Sequence, residues 1–184
     1  MSDSTTTKKA IAKGFKKLML EKRFDKITIS DIAASCGINR QTFYYHFRDK
    51  YDLLDWIYYN EAIHYLVDDL TLDNWSDKVY EMLKTMKAES YFYINAFKAS
   101  GSKEFESYLT HAVQGMFQSL IDQLAKGVEM DPRDREFIAS FYAFGLVGII
   151  VSWTHARMPE DPEDLKRRFE NLVLGTKKVS ADRL

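Results

Sequence analysis

TISDIAASCGINRQTFYYHFRDK, residues 28–50, reads as two short helices joined by a tight turn. Thr28 is a good N-cap, and Asp31, three residues on, stands where a carboxylate answers the free backbone donors of a first turn. Ile27 and Ile32 occupy the two positions of a hydrophobic staple. Ile29, Ile32 and Ala33 form an apolar stripe, and Gly37 suits the left-handed residue that closes a helix, which places the end at about Cys36. Ile38 then anchors the turn, Asn39 caps, and a second helix runs from Arg40 to about Phe47.

At about 100° per residue, Phe43 and Phe47 share one face of this second helix, while Gln41 and Tyr45 point to the opposite side and Thr42 and Tyr44 flank it. Exposed aromatic rings beside Gln, Thr and Arg suit base edges, thymine methyls and phosphates better than they suit water. An ordinary helical hairpin with a tyrosine-rich surface is the competing reading. Caps, turn and outward polar-aromatic face occurring together favour a DNA-reading helix-turn-helix.

The longer segment FDKITISDIAASCGINRQTFYYHFRDKYDLL resembles the DNA-binding segment of the TetR/AcrR family of bacterial transcriptional regulators, over about residues 8–55. The T-x-x-D-I-A order, the G-I-N turn, the T-F-Y-Y-H-F helix and the following D-K carry the likeness. It implies a phosphate contact at Thr28. Arg40, Gln41, Thr42 and Tyr45 would meet base edges or nearby backbone, and Tyr44, His46 and Lys50 mainly phosphates. His46 lies beside the buried face and equally suits packing between helices. The family's organisation implies an all-α protein of about nine helices, with a three-helix DNA-binding domain over 1–50 and a helical effector-binding and dimerisation domain over 51–184.

The 184 residues, 46% hydrophobic, suffice for a buried core. The net charge of −1 hides an asymmetry, since residues 1–60 carry +4 and the remainder −5. The basic end is the one with the helix-turn-helix, as phosphate binding favours. A helix from about Thr6 to Arg23 places Ile11, Phe15, Leu18 and Met19 over that core, after a leader of five residues expected to be disordered. Its lysines read as solvated, with Lys8 and Lys9 nearest to a DNA backbone. No signal peptide precedes it, and the lone Cys36 reads as a buried inert thiol, so a cytoplasmic setting is expected.

Beyond Asp49, a cap, the positions Leu53, Ile57, Ile63, Val67 and Leu70 suggest one long connecting helix. A break at 71–76 precedes a helix carrying Val79, Met82, Leu83 and Met86. An aromatic group follows, then a helix from about Ser102 to Lys126. Aromatic residues at helical spacing are more often core than pocket, but Tyr93, Phe97, Tyr108, His111 and Phe144 are the candidates to line an effector site. His64, His111 and His155 lack partners at metal-ligand spacing, and no nucleophile motif or phosphate-cradling loop occurs. Neither metal, cofactor nor catalysis is expected.

Asp131-Pro132 and Asp161-Pro162 each supply a cap followed by proline at the first helical position. The first opens a helix with an uncharged run, FIASFYAFGLVGIIVSWT, residues 137–154. Its length approaches a membrane span, but Ser, Tyr and Gly dilute it and burial against protein fits better. Phe141, Gly145, Gly148 and Ile149, with Leu165, Phe169, Leu172 and Val173 of the last helix, are expected to build a four-helix homodimer interface. FYINAFKASGSKEFESYL faintly resembles the C-terminal domain of the dihydroxyacetone-kinase operon activators. The expected partners are therefore a palindromic double-stranded operator, a second copy, and an unknown small-molecule effector or, alternatively, a protein partner. Repression relieved by the effector is the leading expectation and activation the alternative. A helical ligand carrier or enzyme without a DNA role is the reading from another class.

Overall fold

Side-chain caps set the starts of five of the described helices, those after Thr28, Asn39, Asp49, Asp131 and Asp161. The computed structural model, which describes residues 2–98, 102–125 and 129–181, contains nine α-helices and two 3-10 turns, with no strand among the described residues. In order these are α1 (Ser2–Glu21), a turn at Phe24–Lys26, α2 (Ile29–Ser35), α3 (Arg40–His46), α4 (Lys50–Glu61) and a turn at Ile63–Leu66. Then come α5 (Trp75–Ala88), α6 (Ser90–Phe97), α7 (Ser102–Leu124), α8 (Pro132–His155) and α9 (Pro162–Ala181). Asn39 Oδ1 accepts from the Thr42 amide at 2.8 Å, and Asp49 Oδ1 accepts from the amides of Tyr51 and Asp52, each at 2.8 Å. Asp131 and Asp161 cap α8 and α9 in the same way, each followed by its proline. Gly37 takes the left-handed conformation, φ +67°, that closes α2.

The cap of α2 is reciprocal. Thr28 Oγ1 accepts from the Asp31 amide at 3.1 Å, while the Thr28 amide donates to Asp31 Oδ2 at 2.9 Å. That backbone hydrogen bond, followed by the one from Lys22, holds the Asp31 carboxyl down to about 2. The folded value lies below the unfolded one, so the stabilisation is complete above about pH 4 and is lost as pH falls toward about 2. Asp31→Asn is therefore expected to be less stable than the parent at neutral pH and to match it near pH 2. Urea unfolding midpoints across this window check it, and parallel acid limbs would remove the cap's role.

One continuous core runs from the helix-turn-helix into the C-terminal helices. Ile11, Phe15 and Met19 of α1 meet Ile32 and Phe43 of the hairpin, and all five are fully buried. α1 approaches α2 closely at Gly14, where an added Cβ would lie 2.5 Å from Ser35 Oγ. In the C-terminal part, α8 lies along α7, joined by Arg135–Asp122 at 2.9 Å and Gln114–Ser140 at 3.1 Å. α9 packs on α5, where Lys166 meets Asp77 at 2.6 Å.

Two expectations change. Helix α1 begins at Ser2, so residues 2–5 are helical rather than a leader, and it ends at Glu21. The expected long connecting helix is interrupted, with α4 stopping at Glu61 and a 3-10 turn following. The reason lies in register: Leu53, Leu54, Ile57 and Tyr58 set the buried face of α4, and a continued helix would turn Ile63 and Leu66 to its opposite side. Re-registering at Ala62 buries both, and leaves Val67 exposed. Lys126, the expected end of α7, lies outside the described residues.

Candidate nucleic-acid interface

Helix α3 divides cleanly into two faces. Phe43 and Phe47 are buried and contact each other with ring centroids 5.8 Å apart, which anchors the helix on the core. Tyr45 on the other face is 83% exposed, and Arg40, Gln41 and Tyr44 are exposed with it. Asn39, Gln41, Thr42 and Tyr45 line one shallow concavity. Thr42 is tied into the cap, its hydroxyl donating to Asn39 Oδ1 at 3.0 Å, so it presents a fixed side chain to that concavity. His46 is half-buried with its ring edge-on to Tyr45 at 5.0 Å, a position that steadies the Tyr45 ring.

Around this face stand groups suited to a polyanion. Lys8 of α1 holds its ammonium 5.3 Å from the Phe47 ring centroid, at the edge of the hairpin. Arg48, absent from the expected set, lies just beyond Phe47, the residue that closes α3, and has an 83% exposed side chain near Asp49. Its signal in the sequence was its place, a cation at the exit of the reading helix. Thr28 is exposed, but its hydroxyl is engaged by Asp31, to which it donates at 2.8 Å. Lys50 departs furthest from expectation: its ammonium is held by the backbone carbonyls of Phe24 and Ile27, both at 2.9 Å.

The structure does not bring the five expected effector residues together. Tyr93 and Phe97 are buried in an aromatic core with Tyr58, Phe92 and Phe105, the Tyr58 and Phe105 centroids being 4.0 Å apart. The Tyr93 hydroxyl has no hydrogen-bond partner there, and burial pushes its ionisation well above the usual phenol range. Tyr108, His111 and Phe144 instead face outward, because the inward positions of α7 and α8 are taken by aliphatic side chains such as Leu109, Val113 and Val147. His111 Nδ1 donates to the Ser107 carbonyl at 2.8 Å within its own helix. Among the described residues, no three His, Cys, Asp or Glu side chains gather as a metal site.

The expected dimer residues also separate into two groups. Leu165 and Phe169 are buried within the chain, where α9 packs on α5, and Val173 is partly buried there. Phe141, Gly145, Gly148, Ile149 and Leu172 lie on the outside. Helix α8 is long and apolar enough to cross a membrane, yet it is two-sided: Ala139, Ala143 and Ile150 are buried, while Phe137, Phe141 and Phe144 are 72%, 68% and 67% exposed. Nothing lies within 4 Å of a Cβ added at Gly145 or Gly148. Beside this face, an apolar groove of about 210 Å³ runs between α8 and α9, lined among others by Gly145, Ile149 and Leu172.

Comparison with known proteins bears on the family and the fold. Residues 6–57 match the model of bacterial regulatory proteins of the tetR family, and residues 73–175 that of a transcriptional regulator C-terminal region. The dhaKLM operon transcriptional activator DhaS of Lactococcus lactis is 29% identical over 151 residues, 81% of this chain and 80% of DhaS. A solved structure of the dihydroxyacetone kinase operon activator DhaS superposes with a TM-score of 0.76 at 27% identity, covering 94% of this chain and 97% of that one. NalD of Pseudomonas aeruginosa, the secondary repressor of the MexAB-OprM multidrug efflux pump, has the same fold at a TM-score of 0.62 and 22% identity, covering 93% and 97%.

Proposed function

Because the chain belongs to the tetR family of bacterial regulatory proteins, a family of DNA-binding transcriptional regulators, we propose that two copies read a palindromic operator through paired α3 helices. The observation that carries this is the division of α3, with Phe43 and Phe47 buried and Gln41 and Tyr45 turned outward. Arg40, Gln41, Thr42 and Tyr45 are the base-reading set; Tyr44, His46, Arg48 and Lys8 face the backbone. Residues 1–50 form the reading head, and residues 51–184 carry the dimer seam and the effector response, in the cytoplasm where the operator is.

The exposed face of α8 and the adjoining groove form the seam. Phe137, Phe141 and Phe144 supply the apolar area, and Gly145 and Gly148 admit a close second helix. An effector that favours one spacing of the two heads then releases the operator, since a palindrome is met only at about 34–36 Å or a multiple of it. Relief of repression is the leading reading. The likeness to an operon activator favours a second reading, activation. Under it, the outward Tyr108 and His111 of α7, off the α8 seam, suit a protein partner better than an enclosed small molecule.

Selection from random-sequence duplexes tests the proposal. Enrichment of an inverted repeat whose half-site centres are about one helical turn apart is expected. No enriched motif, or a lone half-site, would contradict it. Transcription in vitro from a template bearing the selected site then distinguishes a falling signal from a rising one.

A further inference from the structure

The Lys50 side chain starts at the first residue of α4 and runs back to the corner between α1 and α2. Its ammonium donates to the carbonyls of Phe24 at 2.9 Å, Ile27 at 2.9 Å and Asp25 at 3.3 Å. It also lies 4.7 Å from the Phe24 ring centroid and 5.9 Å from that of Tyr51, and those two rings meet edge-on at 5.1 Å. An ammonium has three N–H donors, and these carbonyls engage all three. None remains for a phosphate. At the start of α4 the amides of Tyr51 and Asp52 donate to Asp49, and that of Arg48, just before the helix, donates to Asp52.

We propose that Lys50 is a positioning residue, an internal tie that fixes the corner leading into α2 and α3 onto the start of α4 and sets operator affinity without touching DNA. This rests on the reading of α3 as the DNA-reading helix. The corner leads into α2 through Ile27, the staple residue buried beside the Thr28 cap. Because α4 is the helix that leaves the reading head, the tie sets the angle at which α3 is presented. Three carbonyls converging on one point suit a tetrahedral ammonium; a guanidinium, bulkier and with its donors spread in a plane over three nitrogens, fits that convergence less well. Half-burial lowers the pKa of the Lys50 ammonium, with the Asp25 charge opposing, which agrees with an enclosed group.

Trace acetylation of the DNA-free protein, read by mass spectrometry, needs no variant. Lys50 is expected to react several-fold more slowly than Lys26, an exposed lysine at the same corner. Equal rates would overturn the tie. The second measurement titrates Lys50→Met and Lys50→Arg, each confirmed folded by circular dichroism, against operator and unrelated duplexes over a salt series. Operator affinity should fall about tenfold, the scale of one mispositioned base contact, with no rescue by Arg. Binding to unrelated duplex and the salt slope should stay at parental values, because no phosphate contact is lost.

A slope reduced by about 1.8, about 0.9 for each of the two copies, with both duplexes weakened alike, or full rescue by Arg, would make Lys50 a phosphate ligand and end the proposal. Should neither variant fold, the acetylation rates alone decide. If the parental protein preferred no duplex over another, the assignment of α3 would fail instead, a result separable from fast labelling of Lys50 in a protein that binds its operator.

Discussion

Phe141→Asp is expected to split the dimer and to lower operator affinity by roughly 10²–10⁴-fold, the advantage lost when two linked reading heads become one. Phe141 is 68% exposed in the single chain and stands among the outward residues of α8, near Gly145 and Gly148. In a two-fold seam, each aspartate would be buried against apolar surface and near its own copy. The opposite face of α8, with Ala143, Leu146 and Ile150, is untouched. Folding should therefore survive, and helical content should match the parent. Sedimentation equilibrium reads the mass and fluorescence anisotropy the affinity. A folded variant that stayed dimeric and bound its operator as before would place the seam elsewhere.

The second large effect concerns base reading. Gln41→Ala is expected to weaken operator binding by about 1–3 kcal/mol per half-site, the range of a good bidentate base contact and so about 2–6 kcal/mol for two copies, and to relax the preference at one position of each half-site. Tyr45→Ala should cost a similar amount, and the pair together somewhat less than the sum if both meet the same base step. Neither substitution removes buried area from the core, since Tyr45 is 83% exposed and Gln41 lies on the outer face. Thermal stability and binding to unrelated duplex should remain at parental values. Weakening of operator and unrelated duplex by equal factors would mean that these side chains do not read sequence.

These two sites differ in how far the sequence revealed them. The α3 face is set by local rules: Asn39 fixes where the helix begins, and the 100° step then places Phe43 and Phe47 opposite Gln41 and Tyr45. The cap of α2 is equally local, because Thr28 and Asp31 satisfy each other's neighbours within one turn. The end of α4 has no such local mark, because Ile63, Val67 and Leu70 follow Glu61 at helical spacing from one another. Only the packing of Ile63 and Leu66 against the rest of the chain forces the change of register. Lys50 shows the same limit, since no local pattern announces that carbonyls 23 to 26 residues earlier will surround its ammonium.

The C-terminal aromatics were harder still. Tyr93, Phe97, Tyr108 and Phe144 look alike in sequence, yet the first two fill the core and the last two face outward. An apolar residue reports that it seeks burial, not which neighbour supplies it. For α8 the consequence is specific: its eighteen uncharged residues, 137–154, pack on α7 and its neighbours on one side and leave an exposed face on the other. That exposed face, with its two glycines, is what supports the proposal of a second copy there.

The most direct test of a paired DNA reader is a mobility shift on the DNA upstream of its own gene, at physiological salt with excess competitor, using full-length chains of two distinguishable sizes refolded together. A competitor-resistant complex that resolves into three bands, the middle one holding one chain of each size, is the expected result. A single band per chain size with no mixed species, or loss of every complex to competitor, would contradict a dimer reading a specific site there.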